Sequence, residues 1–143
     1  MKVLARNRRA TFDYAIEDKL MAGLVLTGAE VKSIKAGHVS LKGSFIILRQ
    51  GEAWLTNVHV TPYAQAHETQ DPTRPRKLLL HRRQLEQLSA KTGGLIPVPM
   101  ALLLDKNLIK LEVGLGRGKK RYDKRAAIKK RDVERELGRK LKS

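Results

Sequence analysis

The chain has no cysteine. That excludes a disulfide framework, a thiolate metal site and a cysteine nucleophile, and it fits a cytoplasmic protein. Aromatic residues are scarce, at 4%. Val, Ile and Leu must therefore fill the one modest core that 41% apolar residues can build in 143 residues. No apolar run reaches the ~20 residues of a membrane-spanning helix. The opening "MKVLARNRRATF" carries no secretory apolar segment. No membrane partner is therefore expected. Acids are few as well: 14 Asp and Glu stand against 30 Lys and Arg, a net charge of +16. So large a charge of one sign concerns partners rather than fold, and the partner it calls for is a polyanion.

Catalytic and metal patterns are missing too. The four histidines, His38, His59, His67 and His81, show no paired metal-ligand spacing. His67, Glu68 and Asp71 lie close together in a loop with no second histidine beside them. "GLGRGKK" (114–120) resembles a phosphate cradle, but no βαβ unit surrounds it. A binding protein is expected, not an enzyme, with no cofactor and no metal.

The charge that is present is uneven. From Arg117 to Ser143 there are thirteen Lys and Arg and four acids, a net +9. The first 116 residues hold seventeen and ten, a net +7. This predicts a folded body over 1–115 and a basic tail over 116–143. In the tail, Val133, Leu137 and Leu141 recur every four residues, a narrow apolar stripe on a highly charged segment. Like charges repel along such a helix and little apolar area is buried, so it is marginal alone. The expectation is a tail disordered when free and helical when bound. Three uses fit: a disordered counter-ion for nucleic acid, a helix awaiting a partner, or a probe for one site in a large RNA machine.

The body reads as short strands with two or three short helices. "FDYAIEDKLMAGLVLT" (12–27) suggests two strands broken near Asp18–Lys19, and "GAEVKSIKAG" (28–37) a two-turn helix between glycines. "SFIILRQGEAWLTNVHV" (44–60) is a hairpin around "QGE". "TPYAQAHETQDPTRPR" (61–76) is a loop. "RKLLLHRRQLEQLSAKTGG" (76–94) is an apolar run followed by a helix bearing Leu85 and Leu88 and ending at Gly93–Gly94. "LIPVPMALLLDKNLIKLEVGLG" (95–116) is a pair of strands about "DKN". Pro97 and Pro99 place the first of these at an edge, or make it start late. Many short strands around one small core predict a mainly β fold, a small antiparallel closed barrel, since closure removes exposed edges.

Three basic clusters stand out: Arg6, Arg8 and Arg9; Arg74, Arg76 and Lys77 with Arg82 and Arg83; and the tail. Arginine forks onto phosphate and lysine supplies a point charge. The order of "NRRA", "AGLVLTGAEVKSIKAG", "SFIILRQGEAWLTNVHVTPY", "DPTRPRKLLL" and "GRGKKRYDKR" resembles the SsrA-binding proteins, or small protein B, over most of the chain. That resemblance implies a barrel related to the oligonucleotide-binding fold. The barrel would bind the tRNA-like domain of transfer-messenger RNA. With elongation factor Tu the protein, a monomer, would enter a ribosome stalled with no codon in its A site. The tail would reach the small-subunit decoding centre and the empty message channel.

The body residues so implied in RNA binding are Asn7, Arg8, Arg9, Glu30, Lys32, Ser33, Lys35, Arg74, Arg76 and Lys77. Glu30 has an alternative role, purely structural, against a basic neighbour. The tail residues implied in ribosome binding are Gly118, Lys119, Lys120, Tyr122, Asp123, Lys124 and Arg125. Tyr122 suits stacking on a base, and Asp123 suits a helix cap. Two positions depart from the pattern. Met21 stands where the resemblance expects an acid tied to RNA binding, and Lys35 stands in place of an arginine. The other reading of the residues is a generic basic RNA-binding or ribosomal protein.

Overall fold

The structure is a computed structural model that describes residues 1–64, 70–89 and 95–119. The chain runs β1 (Lys2–Arg6), α1 (Ala10–Asp13), β2 (Tyr14–Leu24), α2 (Gly28–Lys35), β3 (Val39–Ser40), β4 (Phe45–Arg49), β5 (Glu52–Thr56), β6 (His59–Val60), β7 (Arg76–Leu79), α3 (Arg82–Ser89), β8 (Ile96–Asp105) and β9 (Leu108–Gly118). Seven strands form one sheet in the order β1-β8-β9-β2-β7-β5-β4, and β3 pairs with β6 in a separate ribbon. Every pairing among these strands is antiparallel.

Period-2 alternation sets which side of each strand turns inward. In β5, Ala53 and Leu55 are buried while Glu52, Trp54 and Thr56 face outward. With Leu78 of β7, and with Leu111, Val113 and Leu115 of β9, they make one core under α2 and α3, closed by Ile34 and Leu88. The hairpin β4–β5 turns at Gln50 and Gly51, both with positive φ (53° and 75°), the conformation of a two-residue hairpin turn. The β8–β9 turn holds Lys106 at φ 57°.

Four features bear on the expectations. The break near Asp18 is not a break: β2 is one strand of eleven residues, and its register against β9 shifts between Ile16 and Asp18. A β-bulge at Glu17 absorbs the irregular pattern without ending the strand. Second, the two prolines lie inside β8. They occupy its first half, which β9 covers on one side, whereas β1 begins to pair only at Ala101. That half is an edge, where a missing N–H costs no ladder bond. Third, the hydrogen-bonded order ends at β1 and β4, and among the described residues no ladder joins these two strands. The fold is mainly β and antiparallel, with a sheet that is not closed by hydrogen bonds. Fourth, the expected boundary after Leu115 cuts through β9, which pairs with β2 as far as Gly118. The Lys119 N–H then donates to the Asp13 carbonyl at 2.9 Å. Gly116 and Gly118, assigned to the tail, are strand residues here.

Gly116 shows why. A Cβ there would lie 2.8 Å from the Ala15 carbonyl oxygen and 2.8 Å from Ile16 Cδ1. Backbone cannot step aside as a side-chain tip can, so Gly116→Ala should cost about 1–3 kcal/mol. Gly118→Ala meets nothing within 4 Å and should stay within about 0.5 kcal/mol of the parent. Denaturant unfolding of the two variants checks this; equal midpoints would remove the packing argument.

Candidate nucleic-acid interface

The sequence-selected residues separate into two kinds. One kind holds the fold. Arg76 is 1% exposed and Glu30 is 5% exposed. Arg76 Nε donates to Glu30 Oε2 at 2.7 Å, Nη1 to the Val58 carbonyl at 2.7 Å, and Nη2 to the Pro72 carbonyl at 3.1 Å. Arg74 Nε donates to Glu30 Oε2 at 3.1 Å, and its Nη2 also pairs with Glu30 Oε1. Glu30 completes a capping box: its Oε1 accepts from the Thr27 N–H at 2.9 Å, while its own N–H donates to Thr27 Oγ1 at 3.2 Å. One carboxylate thus ties the start of α2 to the "DPTRPR" loop.

Burial opposes the charge on Glu30. The hydrogen bonds from Arg74, from the Thr27 N–H and from Arg76, with the Arg76 charge, outweigh that burial and hold its carboxyl below the ordinary value. Ser33 is buried too, and its hydroxyl donates to the Thr61 carbonyl at 2.7 Å. Asn7 fastens the end of β1 to β8. Its backbone N–H donates to the Met100 carbonyl at 2.8 Å, and its side-chain amide to the Pro99 carbonyl at 2.8 Å.

Glu30, Ser33 and Arg76 are thus buried and bonded within the protein, which for Glu30 is the structural role the sequence left open. At 1% exposure the Arg76 guanidinium is closed to a phosphate from solvent, whereas the Arg74 side chain stays 32% exposed. Charge singled out this segment in the sequence, but the pairing that consumes it is non-local.

The other kind reaches solvent. Arg8 and Lys35 are exposed. Arg9 is exposed beside Asp13, at 3.3 Å, with its guanidinium 4.6 Å from the Phe12 ring centre. Lys32 lies 5.2 Å from the Tyr63 ring centre. Lys77 pairs with Glu52 at 3.1 Å. Arg8 and Arg9 line a cleft of about 410 Å³ between β1 and β3, together with Arg6, Asn7 and Lys42.

A larger groove, of about 660 Å³, opens on the other strands. It is lined by Met21 and Gly23 of β2, Lys77 and Leu79 of β7, His81, and Lys110 of β9. Leu79 is 53% exposed there. Gly23 faces it across the ladder, and a Cβ on Gly23 would lie 3.2 Å from that of Leu79. The resemblance had flagged only Met21 and Lys77 near this groove. Leu79 was legible: in "KLLL" a strand must turn one leucine outward. Lys110 carried no such signal.

Gly118 and Lys119 end the described chain in this region; Lys120, Tyr122, Asp123, Lys124 and Arg125 lie outside the described residues, as does the expected end of α3 at Gly93–Gly94. Among the described residues no group of three or more His, Asp or Glu could hold a metal ion, and no helix is long and apolar enough to cross a membrane.

A mainly β fold with cations gathered around broad, shallow clefts is a polyanion-binding module. Its family is shown by comparison. The SmpB protein family model matches residues 4–143, and the chain belongs to that family. The SsrA-binding protein of Synechococcus sp. (strain JA-3-3Ab) is 49% identical over 146 residues, covering 99% of this chain and 95% of that protein. The SsrA-binding protein of Lysinibacillus sphaericus (strain C3-41) is 46% identical, covering 99% and 94%. Among solved structures, a chain from "tmRNA-SmpB: a journey to the center of the bacterial ribosome" aligns with a TM-score of 0.67 and 39% identity. It covers 86% of this chain and 92% of that one.

Proposed function

We propose that this chain is an RNA-binding adaptor for transfer-messenger RNA in trans-translation. It binds the tRNA-like domain and delivers it, with elongation factor Tu, to ribosomes stalled without an A-site codon. The observation that carries this reading is the family match across 4–143, at 49% identity to an SsrA-binding protein over nearly the full length of both. The chain acts by binding in the cytoplasm, as a monomer, while the ribosome catalyses peptide transfer.

In this reading the body is a curled barrel related to the oligonucleotide-binding fold. Support comes from β4 packing against β8, which brings the two ends of the sheet towards each other. The groove floored by Met21, Gly23 and Leu79 receives the RNA, with Lys77, His81 and Lys110 around it. Arg8, Arg9, Lys32, Lys35 and Arg74 add phosphate contacts at its margins and in the second cleft. Glu30, Ser33, Arg76 and Asn7 hold the elements from which those side chains project. Residues 120–143 probe the decoding centre and the vacant message channel. Gly118 and Lys119 form the root, Lys120, Lys124 and Arg125 meet ribosomal RNA phosphates, Tyr122 stacks, and Asp123 caps the helix that forms on binding. A message in the channel would exclude the tail, so occupancy reports its absence.

A competition titration tests the function. The tRNA-like domain of transfer-messenger RNA should be bound at least about 10³-fold more tightly than an elongator tRNA at near-physiological salt, the lower end of specific over non-specific nucleic-acid binding. Equal affinity for both would mean that charge alone decides, as in a generic basic RNA-binding protein, and would overturn the adaptor reading.

A further inference from the structure

The outer face of the β4–β5 hairpin carries a feature that the core does not need. Alternation puts Phe45, Ile47 and Arg49 of β4 on the outside, beside Glu52, Trp54 and Thr56 of β5. Ile47, Trp54 and Lys77 stand in register across three strands. Ile47 is 37% exposed and Phe45 is 47% exposed. Trp54, the single tryptophan of the chain, is half-buried in a cleft of about 310 Å³, with Ile47, Arg49 and Pro75 around it. Glu52 lines both this cleft and the larger groove, so the two are neighbours.

We propose that this cleft is a base-stacking site, in which Trp54 takes an unpaired nucleobase of the bound RNA and Arg49 takes its phosphate. The proposal rests on the RNA-binding reading above and extends the groove by one nucleotide site. Three features point to a nucleotide. An indole half open on a sheet face offers a π surface that any base can cover. The charge next to it is suitable: Glu52 is engaged by Lys77 at 3.1 Å, while the Arg49 guanidinium, among the described residues, has no hydrogen bond or ion pair. Finally, the cleft borders the groove that holds Lys77, His81 and Lys110, so a strand leaving that groove has Trp54 beside it. Cross-strand pairing with Ile47 accounts for a large apolar side chain at position 54, but not for the unpaired guanidinium beside it.

The single tryptophan makes the test direct. The full chain is titrated with the tRNA-like domain while indole emission and the anisotropy of end-labelled RNA are read on the same samples. Quenching should saturate along the anisotropy isotherm. Trp54→Leu keeps an apolar partner for Ile47 but has no ring. It should melt like the parent, bind about tenfold more weakly and keep the slope of log affinity against log salt. Trp54→Phe should restore most of the affinity. Arg49→Gln should reduce that slope by about one. RNA binding with unchanged emission, together with full affinity for Trp54→Leu, would overturn the stacking site and leave the adaptor reading intact. Emission that responds to elongation factor Tu and not to RNA would also overturn it, assigning the cleft to a protein. Absence of RNA binding by the parent chain would overturn both.

Discussion

Removing residues 120–143 is expected to abolish peptide tagging on stalled ribosomes and to leave affinity for the tRNA-like domain within about tenfold of the full chain. The segment removes eleven Lys and Arg and four acids, so some non-specific attraction is lost. At near-physiological salt a charge acts over only about 8 Å, however, and the body keeps its own groove. The cut must follow Lys119. β9 pairs through Gly118, and the Lys119 N–H holds the Asp13 carbonyl, so a cut after Leu115 would damage the sheet and confuse folding with function. Alanine at Asp123, Lys124 and Arg125 together should behave like the truncation. Full tagging by that triple variant would show that bulk charge suffices. Loss of RNA binding by a truncated chain that still unfolds cooperatively would refute the division into body and tail.

Glu30→Ala should destabilise the fold by about 3–5 kcal/mol, the cost of leaving a buried charge without its partner. It strands the Arg76 guanidinium, at 1% exposure, and removes the reciprocal cap of α2. Replacing Arg76 by methionine in the same chain should recover part of this, because the orphaned charge goes too. The Val58 and Pro72 carbonyls would still lack their donor, so recovery should be incomplete. The same cluster sets an acid limit. The Glu30 carboxyl is held below its ordinary value of 4.5. Its contribution is fully present above that pH and is lost as pH falls through the lower, folded-state value. Denaturant midpoints from pH 7 down to pH 3 should therefore fall more steeply for the parent chain than for Glu30→Ala. Parallel curves, or a single variant as stable as the parent, would contradict this account.

Local pattern made much of this molecule legible. Alternation along "SFIILRQGEAWLTNVHV" defined the hairpin, and the two-turn segment between glycines marked α2. What stayed hidden was non-local. Gly114 and Gly116 lie in a segment read as strand, but local pattern does not say why they are glycine: Met100, Ile16 and Ala15 press against them from other strands. A structural role for Glu30 was open from the sequence, but its partner was not: Arg76, which looks like a surface charge, meets it across 46 residues, and both are buried. The motif resemblance pointed to segments, not to side chains. It could not tell a side chain that faces a ligand from one that holds the loop that faces it. Leu79 and Trp54 escaped it for the opposite reason, since apolar residues in strands are assigned to a core unless their side of the strand is known.

The way β9 ends has a mechanical consequence. The strand lies between β2 and β8 and is bonded to both along most of its length. A pull on the chain beyond Lys119 is directed along that strand, at right angles to its hydrogen bonds. The load then falls on both ladders at once, in shear, instead of opening them pair by pair from one end. A tether rooted in this way yields late and all together. Any force between whatever grips the tail and whatever grips the body is carried through the centre of the sheet.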